Sequence, residues 1–264
     1  MQRFPLGHIT DDYAPDKWTS MVALVGAEPE PAPAASPGLI MWADRIEHQP
    51  GGTCVGHAIA GGIYLKQGAA NAALGQPTRV REFPSPLAIT YNARVKGGYP
   101  ERDVGCQPRL AFEGLTDYGY CAIENWISTD ENICKQPSAE AYRLAVDQRA
   151  IQYYRVLNEG QAACEDVRQG ISRENPVVIA LTLNAAFQDL TDAIWKGPSG
   201  TIIGSHYVLG VEYTPDYLVI LNSWGRNWGV NGFGKVAWSA IGDPSVTRDR
   251  YAITFAPAPV REAA

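Results

Sequence analysis

Residues 206–224, HYVLGVEYTPDYLVILNSW, decide the fold class. His206–Tyr213 and Tyr217–Trp224 are rich in Val, Ile, Leu and Tyr, residues that fit a pleated, half-buried surface. Thr214, Pro215 and Asp216 between them carry turn chemistry, so the segment predicts an antiparallel hairpin. Upstream, PVVIALTL at 176–183 reads as a further strand. The first half of the chain reads differently. CVGHAIAGGIYLKQ, residues 54–67, strings small and apolar residues together without proline and predicts a helix. Its glycines lower helix propensity by up to ~1 kcal/mol each relative to Ala, so burial has to sustain it. SPLAITYNARV (85–95) opens with Ser85 as cap and Pro86 at the first position. QPRLAFEGLTDYG (107–119) has Pro108 near its start and Gly119 at its end, and SAEAYRLAVDQRA (138–150) is a fourth candidate. Helices first and antiparallel strands second predict an α+β protein with segregated layers, not alternating βαβ units.

Composition narrows the function classes. The chain has 264 residues, of which 45% are hydrophobic, as expected of a folded globular protein. Lys and Arg number 22 against 28 Asp and Glu, giving a net charge of −6, so nucleic acid is not an expected partner. No apolar run reaches the ~18–20 residues of a membrane span, and no membrane partner is expected. MQRFPLGHITDDY at the start lacks an apolar stretch after a basic residue, so no secretory signal is expected, and the expected location is cytoplasmic or virion-associated. EPEPAPAASP (28–37) reads as a stiff linker or strap and APAPVREAA (256–264) as a frayed tail. The five cysteines are odd in number and widely spaced, with no metal-ligand spacing, so no metal or organic cofactor is expected. Cys106, Cys121, Cys134 and Cys164 read as structural thiols.

Cys54 needs another reading. It stands at the start of a helix, after the glycine-rich loop Gln49-Pro-Gly-Gly-Thr. A thiol there faces the positive end of the helix dipole and unpaired N–H groups, which favour the thiolate. His206, on a strand, is the candidate imidazole to activate it. Such a histidine needs a partner on its other ring nitrogen, and Asn222, on the next strand of the hairpin, is that candidate. The Cys54 N–H and the Gln49 amide are available to a developing oxyanion. His57 reads as a packed helix residue, and Glu101 and Asp103 as solvated loop carboxylates.

With these residues in place, the chain resembles the papain-like cysteine peptidases over roughly residues 40–255. Gln49–Ala58 matches the family's active-site block, His206-Tyr-Val its histidine strand, and Asn222-Ser-Trp-Gly-Arg-Asn-Trp-Gly-Val-Asn-Gly-Phe-Gly its asparagine block. The resemblance implies a two-lobed fold with the site in the cleft: a helical left lobe at about 45–126 and a β right lobe at about 127–255. Residues 39–255 would then be the peptidase domain and 1–38 an extension. It implies hydrolysis of peptide or isopeptide bonds in a peptide or protein substrate. It implies that Trp224 shields the His–Asn pair, and that Gly105 pairs with extended substrate. The Gln-to-Cys step is five residues where the family usually has six, which brings His48 in as an alternative to Gln49. Val55 replaces a common Trp, and Gly51 stands where secreted members carry a disulfide cysteine. Only about 40 residues precede the match, so any inhibitory segment is expected to be shorter than the family's usual propeptide. A rival expectation keeps the fold but makes the chain a structural or assembly component of a phage or virus particle or larger complex, with partner-restricted activity or none.

Overall fold

The computed structural model describes Leu6 and residues 31–36, 38–77, 79–149 and 151–255. The 256–264 tail, and all of the expected linker except residues 31–36, lie outside them.

Three helices come first: α1 (Cys54–Ala73), α2 (Pro86–Gly97) and α3 (Pro108–Tyr118). Ser85 caps α2 by accepting the Ala88 N–H at 3.2 Å, and Pro86 and Pro108 occupy first-turn positions. Three of the glycines of α1 are explained by close approach: a Cβ on Gly56 would lie 2.3 Å from the Pro86 carbonyl oxygen, one on Gly62 2.6 Å from Ile253 Cδ1 and one on Gly68 2.8 Å from the Trp42 ring. α1 is thus pressed between α2 and the sheet, and contact replaces the propensity it lacks.

A short helix α4 (Ala139–Ala145) and strand β1 (Gln152–Arg155) lead into α5 (Gly160–Ser172), β2 (Val177–Asn184), α6 (Ala185–Gln188), β3 (Ile194–Trp195), β4 (Ile202–Tyr213), β5 (Tyr217–Leu221), β6 (Phe233–Ala237), α7 (Trp238–Gly242) and β7 (Arg250–Phe255). The strands form one sheet in the order β1-β7-β2-β4-β5-β6-β3, antiparallel except for the β3–β6 edge. The expected hairpin is β4–β5, with Leu209 opposite Leu221.

Two expectations are corrected. The fourth helix stops at Ala145 rather than 150, because the Ala145 carbonyl accepts the Gln148 N–H in a turn. The second half is also not purely strand. α5 buries Ala163, Val167 and Ile171, spaced four apart on one face, while Glu165, Asp166 and Arg168 dilute that apolar signal.

The sheet is covered on both faces, so β2 is apolar almost throughout. Val178 and Ala180 join one core with Cys54, Ile59 and Ile63 of α1 and Phe112 of α3. Val177, Ile179 and Leu181 join a second with Val167 and Ile171 of α5 and the aromatic side chains Phe187, Trp195, Trp224 and Trp228. The alternation along one strand divides the two cores. Among the described residues, no helix is long and apolar enough to cross a membrane.

Candidate active site

Cys54 is the first residue of α1, preceded by Thr53, whose side chain makes no capping hydrogen bond. The Thr53 hydroxyl instead donates to the Pro50 carbonyl at 2.6 Å and closes the loop on itself. The first-turn N–H groups of a 20-residue helix therefore point at the thiol end without a side-chain cap. Cys54 is fully buried.

α1 runs against β4, where a Cβ on Gly61 or Gly62 would lie 3.5 or 3.3 Å from the Leu209 side chain. His206 lies on β4, three residues before Leu209 and opposite Leu181 of β2. Its Nε2 is 2.7 Å from Asn222 Oδ1. The same oxygen accepts the Ser223 N–H at 2.8 Å, which identifies it as the carbonyl and makes Nε2 the donor. Asn222 lies just beyond the end of β5 rather than within it, and its own N–H donates to the Gly232 carbonyl at 2.9 Å. The Trp224 ring stacks on His206, centroids 4.4 Å apart and planes 24° off parallel. Trp224 meets Trp228 and Phe187 edge-on. It is 1% exposed, so it contacts the imidazole from inside the core rather than from the solvent side.

The glutamine loop reaches the asparagine block through a short ladder. Gln49 N–H donates to the Ser223 carbonyl at 2.8 Å and Gly225 N–H to the Glu47 carbonyl at 2.9 Å. The Ser223 hydroxyl donates to Gln49 Oε1 at 2.6 Å, and Gln49 Nε2 donates to the Gly51 carbonyl at 3.0 Å. Gln49 is buried and directed into this network; His48 is exposed and packs beside Gly225. Ser223 was not singled out by sequence, although it sits inside the asparagine block.

His57 is a buried structural residue. Its Nδ1 lies 3.0 Å from the Thr53 carbonyl oxygen and its Nε2 3.2 Å from the Ser128 hydroxyl. Burial pushes its imidazole down to about 4, the Thr53 carbonyl only partly opposing this. Cys121 and Cys164 are free thiols pushed upward by burial, Cys121 to about 11, as inert structural thiols are. Gly105 is buried in the loop before α3. Asp103 is not simply a solvated carboxylate: it accepts the Gly52 N–H at 3.0 Å and pairs with Arg94 at 3.3 Å. Among the described residues, no cluster of three His, Cys, Asp or Glu is placed to hold a metal.

A buried cysteine at a helix start, an imidazole hydrogen-bonded to an asparagine amide and a glutamine-bearing loop are the residue types a thiol hydrolase uses. The family model for papain family cysteine proteases matches residues 96–252, which include His206 and Asn222. The chain belongs to the papain family of cysteine proteases. It is 26% identical to an uncharacterized peptidase C1-like protein of Acanthamoeba polyphaga mimivirus over 213 residues, 76% of this chain and 67% of that one. It is 28% identical to papain of Carica papaya over 141 residues, covering 53% of this chain but only 36% of papain. Among solved structures, xylellain, a cysteine protease from Xylella fastidiosa, superposes with a TM-score of 0.76 at 22% identity, over 96% of this chain and 98% of that one. The papain-like α+β fold is therefore shared.

Proposed function

We propose that the chain hydrolyses peptide or isopeptide bonds of protein substrates, with Cys54 as nucleophile, His206 as general base and acid, Asn222 as its orienting partner, and Gln49 as an oxyanion donor. The Cys54 thiol passes its proton to His206 Nδ1, the sulfur adds to the carbonyl carbon, and the carbonyl electrons move onto oxygen. The Gln49 amide and the Cys54 N–H receive that charge. His206 then protonates the departing amine and a thioester remains. Water adds to the thioester as His206 takes its proton, and the acid product leaves with the thiol restored.

The observation that carries this reading is the 2.7 Å contact of His206 Nε2 with Asn222 Oδ1 under the Trp224 ring. It fixes the tautomer with hydrogen on Nε2, so that Nδ1 is the basic nitrogen. The test is Cys54→Ala: hydrolysis of unfolded protein and labelling by a thiol-directed epoxide both disappear. Labelling that persists on the variant overturns the assignment.

A second reading, a papain-fold component of a virus particle or larger assembly with partner-restricted or no activity, is favoured by one feature. Cys54 has no solvent exposure, so a substrate reaches it only after the groups covering it move. Rapid cleavage of generic unfolded protein by the isolated chain removes this second reading.

A further inference from the structure

Gly51 lies three residues before the nucleophile and adopts φ +49°, a left-handed conformation. A Cβ there would stand 2.4 Å from Asp103 Oδ2 and 2.7 Å from Oδ1. The space beside the loop is thus occupied by a carboxylate. Asp103 Oδ1 accepts the Gly52 N–H at 3.0 Å and lies 3.3 Å from Arg94 Nη2. Arg94 comes from the last turn of α2 and its side chain has no exposure. The same Nη2 reaches the Gly52 carbonyl at 3.4 Å and the Val104 carbonyl, while Nη1 donates to the Ile133 carbonyl at 2.9 Å. One buried guanidinium therefore gathers the nucleophile loop, the loop before α3 and the 133 segment. Asp103 is its only carboxylate partner among the described residues.

Resting on the thiol-peptidase reading above, we propose that Asp103, held by Arg94, is a positioning residue for the oxyanion-binding loop. It does not touch substrate. Asp103 accepts the Gly52 N–H while Arg94 donates to the Gly52 carbonyl, and Gly52 is two residues from the Cys54 N–H and three from Gln49. Gln49 Nε2 in turn donates to the Gly51 carbonyl, so a shift of the 51–52 peptides moves both oxyanion donors together. An ion pair here does the work of a covalent tie between the loop and the segment that follows α2.

The test separates the oxyanion from the thiolate. Alkylation by iodoacetamide is a displacement at saturated carbon and needs no oxyanion donor; peptide hydrolysis and binding of a peptide aldehyde, whose adduct carries the oxygen, do. Asp103→Asn keeps the side chain's size and removes its charge. The expected result is kcat lower by about tenfold to a hundredfold, the scale of a small misplacement of oriented groups, with KM little changed. Aldehyde affinity falls in parallel, while the alkylation rate of Cys54 stays within about twofold. Asp103→Glu, which keeps the charge, is expected to retain more turnover than Asp103→Asn. A parallel fall of alkylation and turnover, or no fall in either, overturns the proposal. Hydrogen exchange at the Gly52 amide gives a readout independent of activity. It is slow in the native chain and accelerated in Asp103→Asn, whereas unchanged exchange overturns the clamp even if the chain proves to have no peptidase activity.

Discussion

Asn222 supplies one oxygen to two donors, His206 Nε2 at 2.7 Å and the Ser223 N–H at 2.8 Å. Removing it in Asn222→Ala leaves the imidazole stacked on Trp224 but without a fixed tautomer. Because the asparagine acts through the histidine, the expected loss is in turnover: kcat/KM for a peptide substrate falls about tenfold to a hundredfold, as for other outer-shell partners of reactive groups. The fold is retained, but the buried Ser223 N–H loses this acceptor, so unfolding free energy from urea titration is expected to fall by ~1–3 kcal/mol. His57 is a different kind of histidine. Burial holds it neutral, with its imidazole pushed down to about 4 against 6.5 when unfolded. Between those values the unfolded chain binds a proton that the folded chain refuses. Stability is therefore complete above about pH 6.5 and lost as pH falls towards 4, by roughly 3 kcal/mol at the limit. His57→Gln is expected to flatten this part of the stability profile, read as the difference between the two urea midpoints from pH 7 to 4.5. Equal slopes would remove His57 as the cause.

At the scale of elements, α1 explains why a glycine-rich stretch is a helix at all. Its low propensity is offset by close packing against α2 and the sheet, and individual glycines differ in how much they matter. A Cβ at Gly56 would meet the Pro86 oxygen and Thr90 Oγ1, both at 2.3 Å. Gly56→Ala is expected to destabilise by ~1–3 kcal/mol through overpacking, outweighing the ~1 kcal/mol gained in helix propensity. At Gly61 the nearest atom is Leu209 Cδ2 at 3.5 Å, an ordinary contact. Gly61→Ala should be neutral or stabilising by up to ~1 kcal/mol. Thermal melting of the two variants decides it: the same sign for both would mean that the α1–α2 approach is looser than described. The strand elements were legible because apolar runs of β-branched residues between turn signals admit few other structures. α5 was not, because its apolar face of Ala163, Val167 and Ile171 is narrow and interleaved with three charges.

Across the whole molecule, two of the three sequence blocks that resemble the papain family, the glutamine–cysteine and asparagine blocks, meet through the ladder between residues 47–49 and 223–225, with the Ser223 hydroxyl on Gln49 Oε1. Ser223→Ala leaves a buried amide oxygen without that donor and is expected to cost ~1–3 kcal/mol. It is also expected to lower kcat, since the Gln49 amide loses the Ser223 hydroxyl as an anchor. A chain that melts unchanged would show the ladder to be held by backbone bonds alone. The amino-acid sequence by itself determined the order of helices and strands, the family, and the identity of Cys54, His206, Asn222 and Gln49 as candidates. Those signals are local: turn residues, apolar periodicity and short motifs sit within a few positions of one another. Only the tertiary structure decided that Gln49 rather than His48 faces inward, that Ser223 anchors it, and that the half-exposed Asp103 holds Gly52 and Arg94 as well as meeting water. Ser223 and Gln49 lie 174 residues apart and Asp103 and Gly52 51 apart, and no local pattern encodes such a pairing. It exists only because burial leaves each polar group to find its partner among whatever the fold has brought beside it.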